Sequence, residues 1–172
     1  NIELTAAEVA LLQMENREYL LKRRIDLDCY IYDYVVIDCP PSLNILTVNA
    51  LIAATGVLIP MQCEYYALEG LSALLDTVEG IRTHANPNLQ IDGLVRTMYD
   101  PRNSLTRDVS RQLLQFFGDR VFRTVVPRNV RLAEAPSHGL PVLIYDKSSR
   151  GSLAYQALAG ELRKRHDVHP AQ

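Results

Sequence analysis

Residues 32–43 of the chain read YDYVVIDCPPSL. Within them, the apolar run Tyr34–Ile37 ends at a carboxylate, Asp38, and two prolines follow. Short apolar runs bounded by turn residues are typical of strands that are buried on both faces of a parallel sheet. The stretch therefore predicts a buried strand that holds Asp38 at its carboxyl end.

The rest of the chain alternates between short apolar runs and helical patterns. The runs predict strands at Val57–Ile59, Leu94–Thr97 and Val121–Val126, and a short further one at Val142–Tyr145. The helical patterns cover Leu43–Ala54, Leu68–His84, Leu105–Phe117 and Gly151–Arg165, after an opening helix capped by Thr5 and Glu8 that runs to about Arg24. Such alternation predicts an α/β fold with a mostly parallel sheet and helices on both faces.

The amino-acid composition excludes some classes of function for this chain. The chain has 172 residues, 48% of them hydrophobic and 22% charged, which suits one globular domain. A net charge of −2 excludes a uniformly basic nucleic-acid binder. The three cysteines have no close-spaced metal motif, and their sparse number suits a reducing cytosol. Prolines and polar residues interrupt the charge-free stretch 39–63, so it is not predicted to span a membrane.

Polar or turn-forming residues follow four of the predicted strands. They lie at 38–42, 62–64, 97–100 and 127–129, and we expect them to line one crevice, because ligands of such sheets sit beyond the carboxyl ends of the strands. Plainer interpretations stay open. Asp38 or Ser42 could cap the next helix, and Asn129 could cap a simple turn. Tyr65 and Tyr66 could pack half-buried, or form the rim of a nucleotide site or a dimer interface.

Four strings, in this order, resemble the ParA/Soj family of partitioning ATPases, which have a deviant Walker A motif and are related to MinD. They are residues 32–43, IPMQCEYYALEGL at 59–71, TMYD at 97–100 and VPRNVRLAEAPSHG at 126–139. The resemblance covers a core of residues 30–165. It implies a three-layer fold like that of P-loop NTPases, in a single domain over residues 1–172.

The chain departs from that family at its beginning. Family members start with a strand and a phosphate loop of the form KGGxGKT, and no such string occurs in the chain, which has only three lysines. Without the loop, neither backbone amides nor a lysine would hold the phosphates. We therefore expect a domain that is truncated at its N-terminus, lacks the first strand and the phosphate loop, and is inactive alone.

The resemblance also implies roles for individual residues. Asp38 would hydrogen-bond a water on Mg²⁺, with no side chain of this chain binding the metal directly. The segment after it would be the switch that follows the nucleotide state: Pro40, Pro41 and Ser42. Residues after two other strands would flank the adenine and ribose of ATP: Met98, Pro127, Arg128 and Asn129.

Basic residues concentrate in one part of the chain. Eight arginines lie between Arg96 and Arg131, against three aspartates. Such an excess is typical of a surface that contacts the phosphate backbone, although a solvated helix face has the same composition. The resemblance favours DNA, since the family binds DNA without sequence preference, and Arg102 and Arg131 match its basic DNA-contacting positions.

The function implied by the resemblance is chromosome or plasmid segregation. An ATP-dependent homodimer with Mg²⁺ would bind nucleoid DNA in the cytoplasm, and a ParB-type partner protein would stimulate hydrolysis. Two alternatives stay open: a degenerate DNA- or partner-binding module without enzymatic activity, and a MinD-like ATPase that positions the division site. Residues 160–172 lack the large apolar face of a membrane-binding helix, so no membrane partner is expected.

Overall fold

The computed structural model describes residues 2–11, 13–28, 31–40 and 42–168. Pro41, one of the predicted switch residues, lies outside this described part. Eight α-helices and three strands lie along it, and they alternate only between α3 and α6. In chain order they are α1 (Ile2–Leu11), α2 (Leu20–Asp28), α3 (Ile45–Ala53), β1 (Gly56–Gln62), α4 (Ala67–His84), β2 (Gln90–Tyr99), α5 (Ser104–Phe117), β3 (Val121–Pro127), α6 (Val130–Glu134), α7 (Val142–Tyr145) and α8 (Arg150–Val168). Short 3₁₀ turns lie at Arg17–Tyr19, Gly118–Arg120 and Ala135–His138.

The three strands form one sheet in the order β1-β2-β3. Strands β2 and β3 are parallel, with Leu94 opposite Val121 and Tyr99 opposite Pro127. Three predicted strands are thus confirmed. β1 and β2 extend beyond their apolar runs at both ends, and β3 extends by one residue, Pro127. Helix α5 connects the two parallel strands, as the predicted βαβ unit requires. The α/β fold class is confirmed.

The chain divides into two compact units, which are described separately. The first comprises Asn1–Val57 and Ala73–Gln90. In it, two buried asparagines satisfy backbone groups. Asn49 donates to Arg17 O (2.9 Å) and accepts from Leu21 N (3.1 Å), and Asn86 donates to the carbonyl groups of Leu51, Ile52 and Ala54 at the end of α3. A helix leaves its last carbonyls without intrahelical partners, so Asn86 fixes where α3 ends.

The second unit comprises Leu58–Ser72 and Ile91–Gln172. Its core joins the sheet to α8: Val95, Phe122, Val126 and Leu158 are buried, and Leu132, Ala154 and Leu162 pack against them. Apolar side chains of both strands and of the helix thus share one core. Burial of this kind stabilises the unit by about 1.5–3 kcal/mol for each large side chain.

The C-terminal helix also covers β3, the end strand of the described sheet. Glu161 of α8 accepts hydrogen bonds from Arg123 N (2.8 Å), Thr124 N (2.9 Å) and Thr124 Oγ1 (2.7 Å). Burial raises the pKa of Glu161, but the hydrogen bonds from Thr124 and Arg123 together lower it, and the net pKa lies below the ordinary value. The carboxylate therefore stays charged at neutral pH and holds the helix to the strand.

The predicted strand Tyr34–Ile37 is wrong. The segment has no regular secondary structure, and Val36 is 89% exposed. Extended backbone becomes a strand only when a neighbouring strand supplies hydrogen bonds, and none of the three described strands pairs with these residues. The segment is apolar, as a strand would be, but apolar composition does not supply the neighbouring strand that hydrogen bonding requires.

Two other local predictions are also wrong. Val142–Tyr145 is helical, with Tyr145 N donating to Pro141 O (3.0 Å). A run of only four apolar residues fits the period of a helix as well as that of a strand, so the sequence could not distinguish them. The opening helix is divided, and Asn16 between its parts has a left-handed φ of 52°. Helix α1 begins at Ile2, so Thr5 lies within the helix and not at the N-cap position that was predicted.

Candidate functional site

The predicted site residues fall in both units. Asp38, Pro40 and Ser42 belong to the first unit, and the remaining residues, 98–131, belong to the second. Their geometry is therefore given unit by unit, and the single crevice predicted from the sequence stays a prediction.

Asp38 and Ser42 lie exposed before α3. The cap of that helix is Asn44, whose Oδ1 accepts from Thr47 N (3.0 Å). Ser42 contributes only its carbonyl oxygen, which accepts from Thr47 Oγ1 (2.6 Å). The capping interpretation of Asp38 and Ser42 is therefore wrong, and the Asp38 carboxylate and the Ser42 hydroxyl are left exposed for another role.

In the second unit, a backbone hydrogen bond joins the ends of the two parallel strands. Arg128 N donates to Tyr99 O (3.1 Å), and the register of β2 shifts between Arg96 and Tyr99. Met98 lies at this irregularity, with a left-handed φ of 50° and a side chain that is 43% exposed. A non-glycine residue in this region is strained, and such strain concentrates at binding sites. Two predicted nucleotide-flanking residues, Met98 and Arg128, thus lie at adjoining strand ends.

Asn129 has a clear structural role. Its Oδ1 accepts from Arg131 N (3.0 Å) and caps the short helix α6. The capping interpretation is therefore correct for this residue. It leaves the side-chain amide nitrogen without a hydrogen bond to any described residue, so a base contact through that nitrogen is compatible with the cap.

Arg102 forms a bidentate ion pair in the loop after β2. Its Nε and Nη2 lie 3.0 and 2.8 Å from the two carboxylate oxygens of Asp100, and its backbone N also donates to Asp100 (3.0 Å). The side-chain and backbone hydrogen bonds from Arg102 lower the pKa of Asp100 to about 2, and the nearby Arg128 contributes to the shift. The Arg102 side chain is nevertheless 88% exposed.

Arg131 is shared between two carboxylates. Its Nη1 lies 2.8 Å from Glu134, and its Nε lies 3.3 Å from Asp146. The hydrogen bond that Arg131 donates to Glu134 is the main reason why the pKa of Arg131 is raised. Glu134 also accepts from Tyr145 Oη (3.3 Å). Like Arg102, Arg131 is exposed and carries its own anionic partners.

Arg96 is the exception among the eight arginines. It is buried in β2, where Nη1 donates to Ser110 Oγ (3.1 Å) and Nη2 donates to Phe122 O (3.0 Å), while its Nε has no partner among the described residues. Counting it in a basic surface was wrong. Its position inside the predicted buried strand Leu94–Thr97 was the one sequence signal that it could be buried.

The interpretation that Tyr65 and Tyr66 pack half-buried is wrong. They are 74% and 73% exposed, and their rings meet edge to face at 5.1 Å.

The described residues contain no cluster of three His, Cys, Asp or Glu side chains that could hold a metal ion. No helix within the described ranges combines the length and the apolar character that a bilayer crossing requires.

Comparison with known proteins shows the family to which the chain belongs. Residues 1–91 match the AAA domain family. A protein of Pseudomonas putida is 61% identical over 96% of this chain and 63% of its own length. The chromosome-partitioning ATPase Soj of Treponema pallidum is 49% identical over 94% of this chain and 64% of its own length. The chain thus spans less than two thirds of these relatives.

A solved structure agrees with the fold. Cobyrinic acid a,c-diamide synthase from Mycobacterium smegmatis, with bound ADP and magnesium, is 36% identical and superposes with a TM-score of 0.77 over 98% of this chain and 61% of that protein. The fold is thus the open α/β fold of P-loop NTPases. The chain belongs to the AAA domain family, and within it the chain is similar to the ParA/Soj partitioning ATPases, as the sequence strings predicted.

Proposed function

We propose that the chain is part of a ParA/Soj-type partitioning ATPase that binds and hydrolyses ATP with Mg²⁺ and binds DNA without sequence preference. The observation that carries this proposal is the 49% identity to a chromosome-partitioning ATPase over almost the whole chain. A homodimer formed with ATP would bind nucleoid DNA in the cytoplasm, and a ParB-type protein would stimulate its release.

The residues present fit part of a nucleotide. The exposed side chain of Met98 suits the apolar face of a base, and the nitrogen of the Asn129 side chain is free to donate to a base or ribose. The guanidinium of Arg128 is exposed and makes no hydrogen bond to a described residue, so it could contact the ribose or a phosphate. Pro127 is the last residue of β3 and directly precedes Arg128.

Asp38, Pro40, Pro41 and Ser42 form the proposed switch. Bound Mg²⁺ would neutralise the charge that develops on the phosphates during hydrolysis. Asp38 is exposed and does not cap α3, so its carboxylate is able to accept a hydrogen bond from a water on that ion. It would orient the water without binding the metal itself.

Turnover is expected to require residues that the 172-residue sequence does not contain. A phosphate loop supplies several hydrogen bonds to charged groups, each worth about 1.5–3 kcal/mol, and no KGGxGKT string occurs in the chain. We expect the chain alone to release phosphate from ATP no faster than buffer does. Phosphate release measured with Mg²⁺, with Asp38→Asn as the paired variant, checks this. Turnover that the variant abolishes would contradict the expectation.

The proposed DNA surface consists of Arg102 and Arg131. Each follows one of two adjacent parallel strands, β2 and β3, whose carboxyl ends lie at the same edge of the sheet. Both guanidinium groups are exposed, and their fork geometry suits phosphate. Phosphate contacts carry no base information, which is consistent with binding that does not depend on sequence.

Replacing both arginines by alanine is expected to weaken DNA binding equally on unrelated duplexes. Each lost phosphate contact should lower the slope of log affinity against log salt by about 0.9, so the double variant should lose about 1.8. The measurement is a salt titration of fluorescence anisotropy, with the natural protein that contains this chain, ATP and Mg²⁺. Arg120→Ala is the matched control, since Arg120 is also exposed but precedes β3 at the opposite edge. An unchanged slope, or a loss confined to some sequences, would contradict the proposal.

A further inference from the structure

Both proposed DNA-contacting arginines are already bound to carboxylates of the same unit. Asp100 holds Arg102 through two side-chain contacts of 3.0 and 2.8 Å, and Glu134 and Asp146 hold Arg131 at 2.8 and 3.3 Å. A guanidinium that gives its paired N–H groups to a carboxylate cannot give the same groups to a phosphate. The carboxylates therefore compete with a phosphate for these N–H groups. Arg102 gives two of them to Asp100 in a bidentate pair, and Arg131 gives one to Glu134 and one to Asp146.

The carboxylates are held in position independently of the arginine side chains. Asp100 Oδ1 also accepts from the backbone N of Arg102, which makes the loop an Asx-turn, and Glu134 also accepts from the hydroxyl of Tyr145. Asp146 also accepts from Ser148 Oγ (3.1 Å). The competing anions are thus fixed where the arginine side chains reach them, whereas the long arginine side chains can move to another acceptor.

The arginine–carboxylate ion pairs are weak enough for a phosphate to replace the carboxylate. All of their members are at least partly exposed, and exposed ion pairs are weak. A phosphate can therefore displace the carboxylate, but the displacement reduces the affinity. Each pair also keeps the guanidinium close to its place on the surface until DNA arrives.

We propose that Asp100, together with the pair formed by Glu134 and Asp146, regulates DNA binding by competing with phosphate for Arg102 and Arg131. The inference rests on the proposed DNA-binding function. It assigns to these three carboxylates a positioning role that keeps binding weak and reversible. Asp100 is hydrogen-bonded to Arg102, whereas the other two share Arg131.

The test is a double-mutant cycle between each arginine and its carboxylate. Asp100→Asn removes the charge and keeps an oxygen that can accept from Arg102 N, so the turn is retained. In the natural protein that contains this chain, with ATP and Mg²⁺, it should tighten binding to a duplex of arbitrary sequence about two- to fivefold. Asp146→Asn should likewise tighten binding, through Arg131. It provides a second test if one of the two variants fails to fold.

Two controls separate competition from a general change of charge. Asp119→Asn changes the net charge equally at the opposite edge of the sheet, and screening should leave its effect much smaller. In the Arg102→Ala background, Asp100→Asn should have no effect, because the arginine for which it competes is gone. The same holds for Asp146→Asn in the Arg131→Ala background.

The outcomes are distinct. If both arginine variants weaken binding but the asparagine variants do not tighten it, the competition is refuted and the DNA surface stands. Tightening that persists without the arginine would also refute it, since bulk charge would then be the cause. If the arginine variants leave binding unchanged, the proposed DNA surface fails, and the competition fails with it.

Discussion

Replacing Gly93 by alanine is expected to destabilise the protein by about 2–6 kcal/mol. A Cβ at this position would lie 2.5 Å from the carbonyl oxygen of Arg120, 2.6 Å from the Phe122 ring and 2.9 Å from Arg165 Nη1. The carbonyl belongs to the backbone and cannot rotate away, so the strands themselves would have to shift, and overpacking of this kind costs about 1–3 kcal/mol. The φ of 149° adds a further strain of about 1–3 kcal/mol for any residue with a side chain.

Urea denaturation followed by circular dichroism measures this loss, and Gly80→Ala is the matched control. Gly80 lies in helix α4, and a Cβ there would have no atom within 4 Å. The same substitution should therefore stabilise the protein by about 0.5–1 kcal/mol, because alanine favours a helix over glycine. Equal effects of the two substitutions would show that the close approach at Gly93 is unimportant.

Phe122→Ala is expected to cost about 3–5 kcal/mol, the range found when a fully buried aromatic ring is truncated. Phe122 is 0% exposed and packs with Val95, Val126 and Leu158 in the core of the second unit. The guanidinium of Arg165 lies 3.9 Å from the ring centroid, so the substitution also removes a cation–π contact. The free energy of unfolding in urea gives the loss directly.

Phe116→Ala provides the comparison, since the two residues differ mainly in burial. Phe116 lies in α5 and is 71% exposed, so its truncation should change the free energy of unfolding by less than about 0.5 kcal/mol. If Phe122→Ala lowered the free energy of unfolding as little as Phe116→Ala, the core of the second unit would contribute little to stability.

The sequence predicted those elements whose signal is local. Strands β1 to β3 and helices α4 and α5 follow from apolar runs and helical periods, and the bounds of α4 are within one residue of the prediction. The strand predicted at Tyr34–Ile37 does not form, because a strand depends on a neighbour that its own residues do not encode. Val142–Tyr145 was missed because four apolar residues fit a helix as well as a strand.

The candidate site was predictable to a similar extent. The resemblance predicts Arg102 and Arg131 as DNA-contacting residues, and that prediction stays untested, but it does not predict their carboxylate partners. The partner of Arg102 lies two residues before it, and Glu134 lies three residues after Arg131 on a helix, which is a spacing that brings side chains together. Asp146 is distant in sequence, and only the folded arrangement of α6 and α7 brings it to Arg131. The burial of Arg96 likewise depends on which side of β2 meets α5.

The hydrogen bonds of Glu161 have a consequence for solubility. An end strand with unpaired amides is a template on which strands of other molecules can add, the first step of edge-to-edge aggregation. On β3, the amides of Arg123 and Thr124 are already taken by the Glu161 carboxylate, so they are not offered to another chain. Because the pKa of Glu161 lies below its ordinary value, this protection of the sheet edge should persist into mildly acidic solution.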